Sequence, residues 1–323
     1  MKRCALTLLT LATLATLGRS DEPLSRHVII ISIDGLRPDA LQTSAAPNIH
    51  QTTERASYSW SAQTIFPSET TPSHTSMLTG LSPEKHGVLS NHWYSRRPYV
   101  DCDTIFSLAH REKLKTAMFV GKAKFIHLAK PGSLDHYLYP KATKRNSETT
   151  AWFDQQFRRR WWPWAGAADS VTVARAAAKY LTTELPNLMF VHLTDPDVVG
   201  HNQGWMTQAQ RVAIHQTDIA VGLLLDAIER HPDLNDTVVI LTADHGGHDR
   251  THGSRRTVDM TIPWIAWGDC IAPNHKIQQP ITTYDTGATA LHLLGVPLPN
   301  NFDGKPVGEI FVPVAQPSAI ATN

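Results

Sequence analysis

Three apolar runs in this chain each end in an acid, and that recurrence restricts the fold more than any other feature of the sequence. His27 to Ile33 (His-Val-Ile-Ile-Ile-Ser-Ile) is continuous and β-branched, and it runs into Asp34-Gly35-Leu36-Arg37-Pro38-Asp39. Such a run reads as a strand buried on both faces in a parallel sheet. Leu188 to Leu193 ends in Thr194-Asp195-Pro196-Asp197, and Thr237 to Ala243 ends in Asp244-His245-Gly246-Gly247. Thr116 to Val120 and Ile262 to Trp267 read as two further strands. Helical stretches separate them: about Pro38 to Arg55, Ala168 to Leu185, Met206 to Arg230 and Thr283 to Leu294. Val221, Leu225 and Ile228 form an apolar stripe for packing on a sheet. The alternation predicts an α/β fold, a mostly parallel central sheet with helices on both faces. In such sheets ligands bind at the carboxyl edge of the strands, where these acids fall.

A hydroxyl-rich stretch, Phe66-Pro-Ser-Glu-Thr-Thr-Pro-Ser-His-Thr-Ser-Met-Leu-Thr-Gly80, adds a nucleophile candidate. Pro72 suits the first turn of a helix, Ser73 to Leu78 continues it, and Gly80 stops it. Thr70 then stands at a helix N-terminus, where unpaired backbone N–H groups favour an anion. A threonine needs activation by a base or a metal to attack phosphorus. Seventeen histidines invite a search for that metal. Asp34, Asp197 with His201, Asp244 with His245, and His252 supply carboxylates and imidazoles of the kind zinc accepts. Asp197 and His201 have i, i+4 spacing, so both can reach one ion. Each cluster alone also fits a turn or a helix cap; their coincidence with a hydroxyl nucleophile does not.

The 323 residues, 41% hydrophobic, suffice for one large domain with an inserted subdomain. Thirty Lys and Arg against 29 Asp and Glu give no reason to expect nucleic-acid or anionic-membrane binding. Residues 1–20 pair two positive charges with a short apolar run and read as a signal peptide. Residues 21–323 would then be an exported catalytic domain, periplasmic or secreted. Cys102 and Cys270 could pair in an oxidising compartment. Residues from about 92 to 165 interrupt the alternation and read as a cap, with Trp93, Tyr94, Tyr99, Phe125, Tyr137, Tyr139, Trp152, Phe153, Phe157, Trp161, Trp162, Trp164 and the run Arg158-Arg-Arg160.

The text of these motifs resembles the alkaline phosphatase superfamily, and within it the nucleotide pyrophosphatase/phosphodiesterase group. The matching segments are Ile29-Ile-Ile-Ser-Ile-Asp-Gly-Leu-Arg-Pro-Asp39, Phe66-Pro-Ser-Glu-Thr-Thr-Pro-Ser-His74, Leu78-Thr-Gly-Leu-Ser-Pro-Glu-Lys-His-Gly-Val-Leu-Ser-Asn91, Asp195-Pro-Asp-Val-Val-Gly-His201 and Thr242-Ala-Asp-His-Gly246. The resemblance implies two zinc ions and a threonine nucleophile. Carried over by position, Asp34, Thr70, Asp244 and His245 hold one ion; Asp197, His201 and a third histidine, His252 or its rival His248, hold the other. Asn91 matches the asparagine that hydrogen-bonds a phosphoryl oxygen. The expected activity is hydrolysis of phosphodiester or pyrophosphate bonds in a small phosphate ester, possibly a nucleotide, through a phosphothreonine. Phosphomonoester or phosphonate hydrolysis, or phosphoryl transfer to an alcohol, are the alternatives. A sulfatase would carry Cys or Ser at position 70. A dianionic substrate would need a cation, which Lys122 or Lys124 in Gly121-Lys-Ala-Lys124 could supply.

Overall fold

The computed structural model describes residues 23–92, 99–139 and 167–312. β1 (His27–Ile33) is buried along its whole length. It lies between β5 (Leu188–Leu193) and β6 (Thr237–Thr242), parallel to both. β3 (Thr116–Val120) and β4 (His136–Leu138) extend the sheet beyond β5 in the same direction. Beyond β6 come β7 (Thr261–Trp267), β2 (Ser57–Gln63) and β8 (His275–Lys276), giving the order β4-β3-β5-β1-β6-β7-β2-β8. Among the described strands only β7 runs against the rest, being antiparallel to both β6 and β2.

The helices form two groups that pack among themselves. α1 (Pro38–Gln42), α2 (Pro47–Thr53), α6 (Ser170–Glu184) and α7 (Asp195–Gln203) gather around α8 (Gln208–Arg230). α3 (Thr70–Thr79) packs with α4 (Pro83–His86), α5 (Ile105–Arg111) and α10 (Asp285–Leu293). The fold is therefore the expected α/β type, with helices around a mostly parallel sheet. A short helix, α9 (Thr257–Met260), precedes β7.

Several local expectations are corrected. The stretch from Pro38 to Arg55 is two helices, because Pro47 lacks the N–H a continuing helix needs and instead starts α2. β2 was not foreseen. Much of the interval expected to be a cap joins the main unit. β3 and β4 are sheet strands, and Phe125 is 1% exposed, packed against His74, Phe190 and His192. An aromatic cluster reads alike in sequence whether it covers a site or fills a core. Trp93, Tyr94 and the segment from Trp152 through Trp164, with its arginine run, lie outside the described residues, as does the expected signal segment. Cys102 and Cys270 are both free thiols.

One buried polar contact ties the first helical layer together. Asp218 on α8 is fully buried and accepts the backbone N–H groups of Asn48 (3.2 Å) and Ile49 (2.9 Å) and the Asn48 amide (2.8 Å). Asp218→Ala strands these donors at the start of α2 and is expected to cost about 3 kcal/mol. The measurement is a lowered urea midpoint at unchanged slope.

Candidate active site

Strand register assembles the site. Ser32 on β1 lies level with His192 on β5 and with Thr242 on β6. Three adjacent strands thus release the chain at one edge, delivering Asp34, the start of α7 with Asp197, and Asp244-His245. Gly35 turns the chain in the left-handed region (φ +71°), and a Cβ there would come within 3.0 Å of the Asp197 backbone. Thr70 enters from the other side as the first residue of α3, after extended Glu69, and the helix ends at left-handed Gly80. All these ligand-type side chains except His201 and His252 are essentially buried.

Two sets of polar atoms converge. His245 Nε2 lies 3.3 Å from Asp244 Oδ2 and 3.5 Å from both Asp34 Oδ1 and Thr70 Oγ1. His201 Nε2 lies 3.4 Å from Asp197 Oδ1 and 3.1 Å from His252 Nε2, which is itself 3.7 Å from Asp197 Oδ1. The sets adjoin: the rings of His245 and His252 stack with centroids 3.7 Å apart. Each histidine donates Nδ1–H to a main-chain carbonyl: His245 to Gly246, His201 to Arg250, His252 to Ser68. That fixes the tautomer and turns every Nε2 lone pair inward, as metal-binding imidazoles require. Lone pairs so placed cannot hydrogen-bond one another; a cation between them resolves the contact. The edges of both sets are close to the roughly 3.3 Å that separates ligands on a tetrahedral ion with bonds of about 2.0–2.1 Å.

The electrostatics point the same way. Asp34 Oδ1, Asp197 Oδ1 and Asp244 Oδ2 are buried with no hydrogen-bond partner, and all three face these sets. Burial and the neighbouring Asp34 charge hold the Asp244 carboxyl well above the usual range. Burial opposes ionisation of Asp34 too, but the Lys122 ammonium and a hydrogen bond from His192 outweigh it and hold Asp34 low. Burial and His245 pull His252 down to about 3, keeping it neutral. Buried oxygens of this kind are costly without a cation, so the residues present fit divalent metal.

Placement of the expected residues is as follows. Asp34, Thr70, Asp244 and His245 are brought together, and so are Asp197, His201 and His252. His248 turns away, its Nδ1 2.7 Å from Asp259. Lys122 is taken up by two carboxylates, 2.6 Å from both Asp34 and Asp197. Lys124 and Asn91 line the cavity over Thr70. Sequence reasoning missed the supporting residues. His192 Nε2 donates to Asp34 Oδ2 at 2.9 Å. His74 donates to the Thr70 carbonyl and accepts from Ser32. Trp205 donates to the Gly35 carbonyl and packs against Gly35, Gly200 and Gly247. Glu69 receives the Asn91 N–H. The histidine inside the otherwise apolar run Leu188 to Leu193 was a readable signal, since a polar group in a doubly buried strand needs a partner.

The family model described as type I phosphodiesterase / nucleotide pyrophosphatase matches residues 28–261. The chain belongs to this family. Among curated members, cattle ectonucleotide pyrophosphatase/phosphodiesterase family member 3 is 28% identical over 228 residues, which are 68% of this chain and 24% of that protein. Rat family member 7 is 25% identical over 258 residues, 75% of this chain and 54% of its own length. The chain thus spans from a quarter to about half of these members. In fold it is similar to an inactive form of murine ectonucleotide pyrophosphatase/phosphodiesterase 5 in complex with AMP (TM-score 0.70, 16% identity, 89% of this chain and 100% of that one). A 2-O GAG sulfatase is nearly as similar in fold (TM-score 0.69, 14% identity, 87% and 73% covered). No described helix of this member is long and apolar enough to cross a membrane.

Proposed function

We propose that this chain hydrolyses phosphodiester or pyrophosphate bonds of small phosphate esters, with Thr70 as nucleophile at a two-zinc site. The observation that carries the reading is the meeting of Thr70 Oγ1 with the inward lone pair of His245 and the unpartnered oxygens of Asp34 and Asp244. Asp34, Thr70, Asp244 and His245 would hold one ion, and Asp197, His201 and His252 the other. When bound, the ions supply Lewis acidity beside the nucleophile and the leaving oxygen. Thr70 Oγ1 gives up its proton and bonds phosphorus as the P–O bond to the ester or anhydride oxygen breaks and that oxygen leaves; water then splits the Thr70 ester, releasing the phosphate product and restoring the hydroxyl. Asn91 accepts the Thr71 N–H through Oδ1, so its amide N–H groups are left to donate to a phosphoryl oxygen. The Thr70 backbone N–H, in the first turn of α3, has no intrahelical acceptor and is available to an anion. The family supports phosphodiester or pyrophosphate substrates, and its ectonucleotide members accord with an exported location.

The test is metal analysis of the purified chain with an acid-quenched reaction on methyl 4-nitrophenyl phosphate. Expected are about two zinc ions per chain, as a two-metal site requires, and a peptide carrying a methylphosphoryl group on Thr70, with 4-nitrophenolate released. A zinc-loaded chain that turned over the ester without label at Thr70 would overturn the nucleophile assignment.

A further inference from the structure

We propose that Lys124 selects substrates bearing a second negative charge beside the attacked phosphorus, over singly charged phosphodiesters. That charge is either on a dianionic phosphoryl group or on an adjoining phosphate. The inference deepens the reading above and rests on it, because Thr70 marks where phosphorus sits.

Two lysines two residues apart behave differently. Lys122 lies 2.6 Å from Asp34 and from Asp197, so its charge is absorbed by carboxylates that belong to the metal sets. Lys124 has no carboxylate within ion-pair distance among the described residues. Its hydrogen bond goes to the neutral Asn91 Oδ1, at 3.0 Å. That oxygen also accepts the Thr71 N–H at 2.9 Å, so a single amide links the ammonium to the residue after the nucleophile. Both partners are obligate donors, which fixes the Asn91 amide with its oxygen toward them. Lys124 and Thr70 line the same cavity of about 220 Å³, with Asn91, Lys122, Asp197 and His201. Burial and the Lys122 ammonium pull Lys124 down to about 8, so it is still cationic at neutral pH.

Among the described residues the ammonium's hydrogen-bond partner is a neutral amide oxygen, which compensates its charge poorly. Its missing counter-ion is supplied by what enters the cavity. Coulomb attraction scales with charge, so a substrate with two negative charges near Lys124 gains about twice what a singly charged diester gains.

The experiment compares wild type with Lys124→Gln on three substrates. They are methyl 4-nitrophenyl phosphate, 4-nitrophenyl phosphate and a dinucleoside diphosphate. Glutamine keeps a donor for Asn91 and removes only the charge. Expected is a loss of roughly 10- to 100-fold in kcat/KM on at least one of the two more highly charged substrates, the scale of a charge-assisted hydrogen bond. The loss on methyl 4-nitrophenyl phosphate, with half the charge, should be about the square root of that, roughly 3- to 10-fold and always the smaller. The larger loss confined to 4-nitrophenyl phosphate places the second charge on the attacked group; the larger loss confined to the dinucleoside diphosphate places it on the neighbour. A second arm needs no turnover. In a Thr70→Ala background, calorimetry should show a larger weakening for inorganic phosphate than for dimethyl phosphate once Lys124 is replaced. Equal losses on all three substrates would reduce Lys124 to a prop for Asn91 and overturn the proposal, as would no loss at all. If the wild type turned over none of the three, the hydrolase reading itself would fail, and the phosphate titration would still decide Lys124.

Discussion

Thr70→Ala is expected to lower kcat by about five orders of magnitude while zinc content stays near two per chain. In the proposed reaction this hydroxyl forms and breaks the bond to phosphorus. Three of the four groups in its set, Asp34, Asp244 and His245, remain when it is lost. The helix that presents it is held independently: His74 bonds the Thr70 carbonyl, and Ser73 bonds the Asp244 carbonyl. The variant should therefore fold, load metal and bind product. Thr70→Ser should keep measurable turnover, since it retains the oxygen. Stopped assays with metal analysis on the same samples separate loss of chemistry from loss of metal. Wild-type turnover by the alanine variant would remove Thr70 from the reaction.

Stripping the metal should abolish turnover and lower the melting temperature together. A ligand at a free concentration a thousandfold above its dissociation constant adds about 4 kcal/mol per site to the folded state. Without it, the carboxylates of Asp34 and Asp197 share one ion-paired lysine, Lys122, and Asp244 Oδ2 is left buried without a hydrogen-bond partner. A sharper form of this expectation uses Asp244→Asn. Asp244 Oδ1 accepts from the Gly35 and His245 N–H groups, bonds an asparagine oxygen can keep. What disappears is the charge on Oδ2, which has no hydrogen-bond partner. In chelator the variant should melt at or above the wild type, and on adding zinc it should gain less. A metal-free variant melting well below the metal-free wild type would mean that Oδ2 stabilises the fold itself, contrary to this account.

The parts of the fold that could be read in the sequence were those whose signal is local. β1, β3, β5, β6 and β7 are continuous apolar runs, and such runs have few other places to go. β2, with four polar residues among seven, carries too weak a pattern, and β4 and β8 are only three and two residues long. Among the site residues, the acids were legible because each closes a strand. His252 could be named but not separated from His248 by spacing; the difference lies in Asp259, which engages His248, and in the Ser68 carbonyl, which orients His252. The division of labour between Lys122 and Lys124 was not legible at all. It depends on carboxylates more than seventy residues away in the chain, reached only through strand pairing. The role of Phe125 was hidden for the same reason: it directly follows Lys124 yet fills the interior.

The indole of Trp205 sits like a last between three glycines drawn from separate turns. Those turns follow β1, run within α7, and follow β6, so one flat ring sets the spacing of backbone segments that carry Asp34, Asp197 and His245. Side chains added at Gly200 or Gly247 would both collide with the indole, whereas Gly35 is held by its left-handed backbone and by Asp197 as well. Sequence drift at 200, 205 and 247 is consequently not independent. A smaller residue at 205 would open room for several new methyl groups at once, and a lineage that lost the tryptophan could recover its shape only by changing its glycines in concert.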